Sequence, residues 1–156
     1  MDIRPGTNAD IPSLIDLNRV VQQLHAAAEP DYFKPSGNET ELAAFFQEQL
    51  AKPAVHIFLA EVAEQPVGYL FATVDEHEQN PFSHAQRVVH IHHLAVASGH
   101  RRQGIGTGLM ARAQQLAHDV SADRLVLGTW AFNRGARAFF ASLGYRIFSF
   151  RMWRRP

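Results

Sequence analysis

Apolar positions along the chain follow two periods, and their alternation predicts an ordered series of strands and helices. Met1–Arg4 reads as a short strand stopped by Pro5-Gly6. Ile11, Leu14, Ile15, Leu17, Val21 and Leu24 fall on one helical face, with Asn8 or Asp10 as the cap. His25–Asn38 carries two prolines and a glycine and reads as a loop. Leu42, Ala43, Phe46 and Leu50 give a second amphipathic helix over Glu39–Ala51. Val55–Val62 and Val67–Val74 are apolar runs around a short polar turn, the pattern of an antiparallel pair. Asp75–Gln86 is polar, contains Pro81, and reads as a loop. Val88–Val96 is the next strand, and Ile105, Leu109, Met110, Ala113, Leu116 and Ala117 carry a helix to about His118. Leu125–Trp130 is another strand, and Asn133–Leu143 is a helix stopped at Gly144. Tyr145–Trp153 alternates cleanly and predicts a final strand. The order is βααβββαβαβ, an α/β fold with a mixed sheet and helices on both faces.

Composition narrows the function. Lys plus Arg balance Asp plus Glu at 15 each, so no net field draws the chain to nucleic acid or to an anionic membrane. The sequence holds no cysteine, which removes disulfides, thiolate metal sites and a Cys nucleophile. No apolar run is long enough to span a bilayer, and the first residues, MDIRPGTNAD, lack a signal-peptide pattern. A cytoplasmic location is the resulting expectation, with no membrane and no nucleic acid as partner. At 156 residues the chain is expected to form one domain, 1–156.

The chemistry concentrates in Val88–Ala117. A strand enters the turn SGHRRQGIG, which opens a helix. The first helical N–H groups lack intrahelical acceptors, and the dipole adds positive charge, so this is an anion site. Gly99 to Gly104 has P-loop spacing, but Ile105-Gly106 stands where Lys-Ser/Thr is required. Gly104-Ile105-Gly106 starts a dinucleotide fingerprint, but Leu109 replaces its last glycine. Arg101-Arg102-Gln103-Gly104-Ile105-Gly106 instead matches R/Q-x-x-G-x-G/A. Downstream, Asn133, Ala136, Gly144 and Tyr145 match N-x-x-A-x-x-(apolar)-Y-x-x-x-G-(F/Y).

These two motifs, in this order with a strand between them, resemble the GNAT superfamily of N-acetyltransferases. The resemblance implies a GNAT-like sheet with splayed central strands, acetyl-CoA as co-substrate, and acetyl transfer to a primary amine by direct attack in a ternary complex. It implies that backbone groups of the Leu94-Ala95-Val96 segment pair with pantetheine, and that an N–H near Leu94 holds the thioester oxygen. It implies that Arg101, Arg102, Gln103, Gly104, Ile105, Gly106 and Thr107 cradle the pyrophosphate, and that Asn133 bonds the pantetheine arm. A homodimer is the family expectation. A non-catalytic acyl-CoA-binding module or sensor is the alternative.

The acid–base positions depart from the family pattern. His90-Ile91-His92-His93-Leu94 occupies the segment where relatives often carry a Glu base. Imidazole titrates near neutrality and accepts a proton from an ammonium. Strict alternation places His90, His92, Leu94 and Val96 on one face and His93 on the other. His92 is the first choice of base and His93 the second. His90 and His92 are too few ligands for a zinc site, so no metal is expected. Phe140 stands where relatives carry a general-acid Tyr. A CoA thiol has a pKa near that of free cysteine, about 8.5, so thiolate leaves without strong assistance. The resemblance implies that the loop between the first two helices lines the acceptor site, which makes Glu29, Tyr32 and Phe33 the candidates, the carboxylate for a cationic amine and the rings for an apolar wall.

Overall fold

The fold was analysed in a computed structural model that describes residues 1–35 and 37–156. Ser36, inside the loop expected over His25–Asn38, lies outside the described residues. The elements are β1 (Asp2–Pro5), α1 (Ile11–Ala28), α2 (Glu39–Leu50), β2 (Val55–Val62), β3 (Gln65–His77), β4 (Gln86–Val96), α3 (Ile105–Asp119), β5 (Arg124–Leu127) and α4 (Arg134–Ser142). They build one sheet in the order β1-β2-β3-β4-β5. The first four strands pair antiparallel, and β4 and β5 pair parallel.

Each sheet face buries its own cluster. Leu14, Leu17, Phe46, Leu59, Tyr69 and Phe71 pack under α1 and α2. Leu70, Val89, Ile91, Ile105, Leu109 and Ala113 pack under α3. Alternation in β3 explains the split, because successive residues point to opposite faces. Gly68 permits the close seating of α3: an added Cβ there would lie 2.9 Å from the Ala95 carbonyl oxygen and 3.1 Å from Ile105. α1 follows one turn of 3-10 helix, Asn8–Asp10. Asp10 accepts from the Thr7 N–H at 2.7 Å and pairs with Arg4 at 2.7 Å.

Four expectations change. α1 runs to Ala28, so His25 is helical, and the loop begins with Glu29. β3 and β4 extend into the polar stretch expected as a loop over Asp75–Gln86, with Glu76 opposite Arg87. Their ion pair at 2.5 Å supplies a reason for polar residues to remain in register. β5 stops at Leu127, short of the expected Trp130, because its partnership with β4 ends at Ile91↔Leu127.

The fourth is the largest. Tyr145–Trp153, expected as the last strand, forms no strand, and the element order ends at α4. Among the described residues, the segment after Tyr145 makes no backbone ladder, and its apolar side chains stand in solvent, from Ile147 at 67% to Met152 at 91% exposed. It is held only at points: Phe148 lies 5.1 Å from the Arg124 guanidinium, and Arg155 pairs with Asp31 at 2.6 Å. Alternation requires a neighbouring strand before it produces a ladder, and this segment has none.

Candidate active site

β4 and β5, the last two strands of the sheet order, part beyond a short register. Val88 to Ile91 pair with Arg124 to Leu127, and beyond that register the β5 side of β4 has no strand. Leu94, Ala95 and Val96 line this opening. Leu94 and Val96 point to the α3 cluster, and Ala95 is buried on the opposite face. The Val96 carbonyl accepts from Arg101 Nε at 3.3 Å.

At the upper end of the opening the chain makes an anion cradle. Ser98–His100 is a single 3-10 turn, Arg102 has φ 60° and Gly104 has φ 82°. The left-handed conformation at Gly104 is one glycine adopts without strain. A Cβ placed on Gly104 would meet nothing within 4 Å, so the space over the helix start is open. Among the described residues, the N–H groups of residues 101–107 donate to no protein acceptor. These N–H groups at the positive end of α3 fit a pyrophosphate. Arg101, Arg102, Gln103 and Thr107 are exposed around them, and Ile105 is buried as the anchor. Gln103 ties the loop to itself, donating from Nε2 to the Gly99 carbonyl at 3.2 Å. Gly106 faces Phe139, whose Cζ would lie 3.2 Å from an added Cβ. Asn133 caps α4, its Oδ1 accepting from the Ala136 N–H at 3.1 Å. That leaves the Asn133 amide N–H groups for another partner.

The histidines depart from strict alternation. Phe71 pairs with His93 but Ala72 pairs with Ile91, so a β-bulge puts His92 in excess on β4. A bulge reverses the parity of the residues after it. His92 and His93 therefore lie on the same face, that of α1 and α2, and Leu94 and Val96 turn to α3. This corrects the expectation that His93 stands apart and that Leu94 and Val96 accompany His92. The His90 and His92 ring centroids are 4.3 Å apart. His92 Nε2 is 2.9 Å from Thr73 Oγ1. His93 Nδ1 is 2.9 Å from Tyr69 Oη, which accepts from Asn18 Nδ2 at 2.9 Å. With the Asn18 amide donating, the phenol proton points at His93 Nδ1, and the neutral ring keeps its proton on Nε2.

Burial dominates the titration. It lowers His93 to about 4, with His92 and His25 adding to the effect. It also lowers His92, assisted by His90 and opposed by the Asp75 carboxylate. Both imidazoles are neutral at pH 7.

The open cradle thus lies at the α3 end of β4, and the imidazoles lie on the opposite face of the same strand. Residues 21–145 match the acetyltransferase (GNAT) family. The chain belongs to that family. It is 35% identical over 88 residues to human N-alpha-acetyltransferase 30, covering 56% of this chain and 23% of that protein. The chain thus spans about a quarter of the length of the curated relative it matches. A tetramutant of the BH1408 protein from Bacillus halodurans superposes with a TM-score of 0.92 at 22% identity, covering 100% of both chains. The aminoglycoside N-acetyltransferase AAC(6')-Iy in complex with CoA superposes with a TM-score of 0.75 at 16% identity, covering 99% of this chain and 98% of that one. At these identities the two structures establish the GNAT fold.

Within this GNAT frame, Phe140 is packed against the α3 cluster, and its ring centroid is 6.0 Å from that of Tyr145. The side chains nearby do not replace a tyrosine donor. Ser142 donates to the Phe139 carbonyl at 2.7 Å, and burial pushes the Tyr145 phenol up to about 12.

The loop after α1 carries the acceptor-site candidates of the sequence. The Glu29 carbonyl accepts from the N–H groups of Tyr32 at 3.1 Å and Phe33 at 2.9 Å, and Gln22 Nε2 holds the Lys34 carbonyl at 2.6 Å. This turn brings Glu29, Tyr32 and Phe33 together, as the sequence suggested. It also brings in residues the sequence reading passed over: His25 from α1, and Trp130 and Phe132 from the chain after β5. Their ring contacts cross a hundred positions of sequence, and no local pattern records them. No helix among the described residues is long and apolar enough to cross a membrane.

Proposed function

We propose that this chain is an acetyl-CoA-dependent N-acetyltransferase acting on a primary amine. The single observation that carries the reading is the open Gly104 cradle at one end of the β4–β5 splay, with His92 and His93 on the acceptor face of the same strand. The N–H groups of residues 101–107 hold the pyrophosphate, the free edge of Leu94-Ala95-Val96 lies along pantetheine, and the Asn133 amide donates to the same arm. Acetyl-CoA supplies an acetyl group already activated as a thioester. His92, neutral and near the surface, takes the proton from the incoming ammonium. His93, with its proton on Nε2, donates a hydrogen bond and stays neutral. The amine nitrogen bonds to the acetyl carbonyl carbon, the carbon–sulfur bond breaks, the nitrogen gives up its second proton to solvent, and the thiolate takes one proton from solvent, since Phe140 has none to give. Glu29, Tyr32 and Phe33 receive the amine.

The test is saturable acetyl-CoA binding by calorimetry together with amine-dependent thiol release. Absence of binding contradicts the reading. No observation favours a binding-only module. Residues 1–156 act as one domain, and a cytoplasmic setting accords with the cysteine-free composition. The open edge of β5 and the exposed apolar residues of 147–153 favour a homodimer joined through that segment. Light scattering on the full chain and on a chain ending at Arg146 tests it: a dimer that becomes a monomer supports it, and a monomer in both contradicts it.

A further inference from the structure

Five rings from three parts of the chain meet beside the acceptor histidines. His25 stacks on Phe33 at a centroid distance of 4.8 Å and meets Phe132 at 5.9 Å. Phe33 meets Trp130 edge-on at 4.8 Å. Tyr32 lies 5.0 Å from Phe33 and 5.2 Å from Trp130. Trp130 and Phe132 are stacked with nearly parallel planes, 20° apart at a centroid distance of 6.0 Å. The cluster is not a closed core. Tyr32 is 70% exposed and Trp130 38% exposed, so ring surface remains open to a ligand. It adjoins the proposed reacting end: α1, which carries His25, packs against β4, which carries His93, and charge on one imidazole disfavours charge on the other.

The electrostatics are equally specific. Burial lowers the His25 pKa, so the cluster carries no cation to repel an ammonium. Of the two carboxylates on the loop, Asp31 is occupied by Arg155 at 2.6 Å, and Glu29 makes no ion pair among the described residues. Beside the rings this leaves one carboxylate unpaired among the described residues, Glu29, which suits a single ammonium, while Asp75, on β3, lies near His90 at the far end. Open aromatic faces attract both a cation and a flat apolar body.

From this geometry we infer that the acceptor is a monoamine carrying an aromatic body, an arylalkylamine, with Trp130, Phe33 and Tyr32 as the residues that select it. This rests on the acetyltransferase reading above and adds the substrate class. The ring stacks in the open part of the cluster, and the amine projects past His25 toward His92 and His93.

The experiment has a binding arm and a kinetic arm. The sequence has two tryptophans, Trp130 and Trp153. Trp153→Phe in the exposed tail leaves Trp130 as the sole indole reporter. Titrating 2-phenylethylamine into this variant loaded with CoA is expected to change Trp130 emission saturably, and spermidine to leave it unchanged. In thiol release, kcat/KM for 2-phenylethylamine is expected to exceed that for spermidine by about tenfold or more, the scale of one aromatic contact. Trp130→Ala is expected to remove most of that ratio through KM, with acetyl-CoA affinity unchanged. Equal binding of both amines, or a ratio unmoved by Trp130→Ala, overturns the inference. If 2-phenylethylamine binds at Trp130 without turnover, the site assignment stands and the catalytic reading fails. If spermidine turns over and 2-phenylethylamine does not bind, the catalytic reading stands and this inference fails.

Discussion

The two faces of β4 solve different problems. The face under α3 is dry and close-packed: Val89 and Ile91 are buried among Ile105, Leu109 and Ala113, and Gly68 brings the helix near the sheet. Its product is a fixed position for the start of α3, and hence for the anion cradle. The face under α1 and α2 is also packed, yet it carries His90, His92 and His93 with Tyr69 and Asn18. Its product is a pair of imidazoles, His92 and His93, that burial keeps neutral. In the proposed reading, one face positions a phosphate with backbone, and the other handles protons with side chains. The bulge at His92 makes the division possible, because it turns two consecutive histidines to one face and returns Leu94 and Val96 to the other.

Separate damage to each face sharpens this contrast. The largest effect is expected from Gly104→Glu, which puts a carboxylate and a Cβ at the cradle. Saturable acetyl-CoA binding is expected to vanish in calorimetry. The melting temperature is expected to fall by a few degrees, because φ 82° at this position strains any residue with a Cβ, so binding is measured on protein shown to be folded. His92→Ala is next, with kcat falling by about 10²- to 10⁴-fold and acetyl-CoA binding retained. A kcat–pH profile of the parent enzyme is expected to place the His92 limb below 6.5, the side to which burial shifts it.

Smaller effects concern stability. Tyr69→Phe leaves the Asn18 amide and His93 Nδ1 without their shared partner, and urea unfolding is expected to show a loss of about 1–3 kcal/mol. Gly68→Ala sets a methyl against the Ala95 carbonyl and is expected to cost about 1–3 kcal/mol, by the same measurement. The smallest is a pH effect. His93 titrates at about 4 in the fold against 6.5 when unfolded. The unfolded chain therefore binds more protons between these values, and stability is expected to fall as pH drops from 6.5 to 4. His93→Gln is expected to flatten that slope in thermal melts.

Much of this was legible in the sequence. The helices and inner strands follow from periodicity because each has a partner that buries its apolar face. The cradle follows from glycines placed at a helix start. The histidine faces were misassigned because strict alternation allows no extra residue. The signal was present: Ile91 and Leu94, both apolar and both toward α3, are an odd number of positions apart, and that spacing on one face requires a bulge. Tyr145–Trp153 misled for the converse reason, since its alternation is regular but no strand lies beside it. The aromatic cluster was not legible, because it joins His25, Phe33 and Trp130 only through the fold.

The account's central claim is that cofactor binding and proton handling lie on opposite faces of one strand and separate cleanly. Parallel acetyl-CoA calorimetry and amine-dependent thiol release on Gly104→Glu and His92→Ala test it. The expected result is that Gly104→Glu loses binding and turnover together, while His92→Ala keeps binding and loses turnover. Loss of binding in His92→Ala, or full turnover in either folded variant, would contradict it.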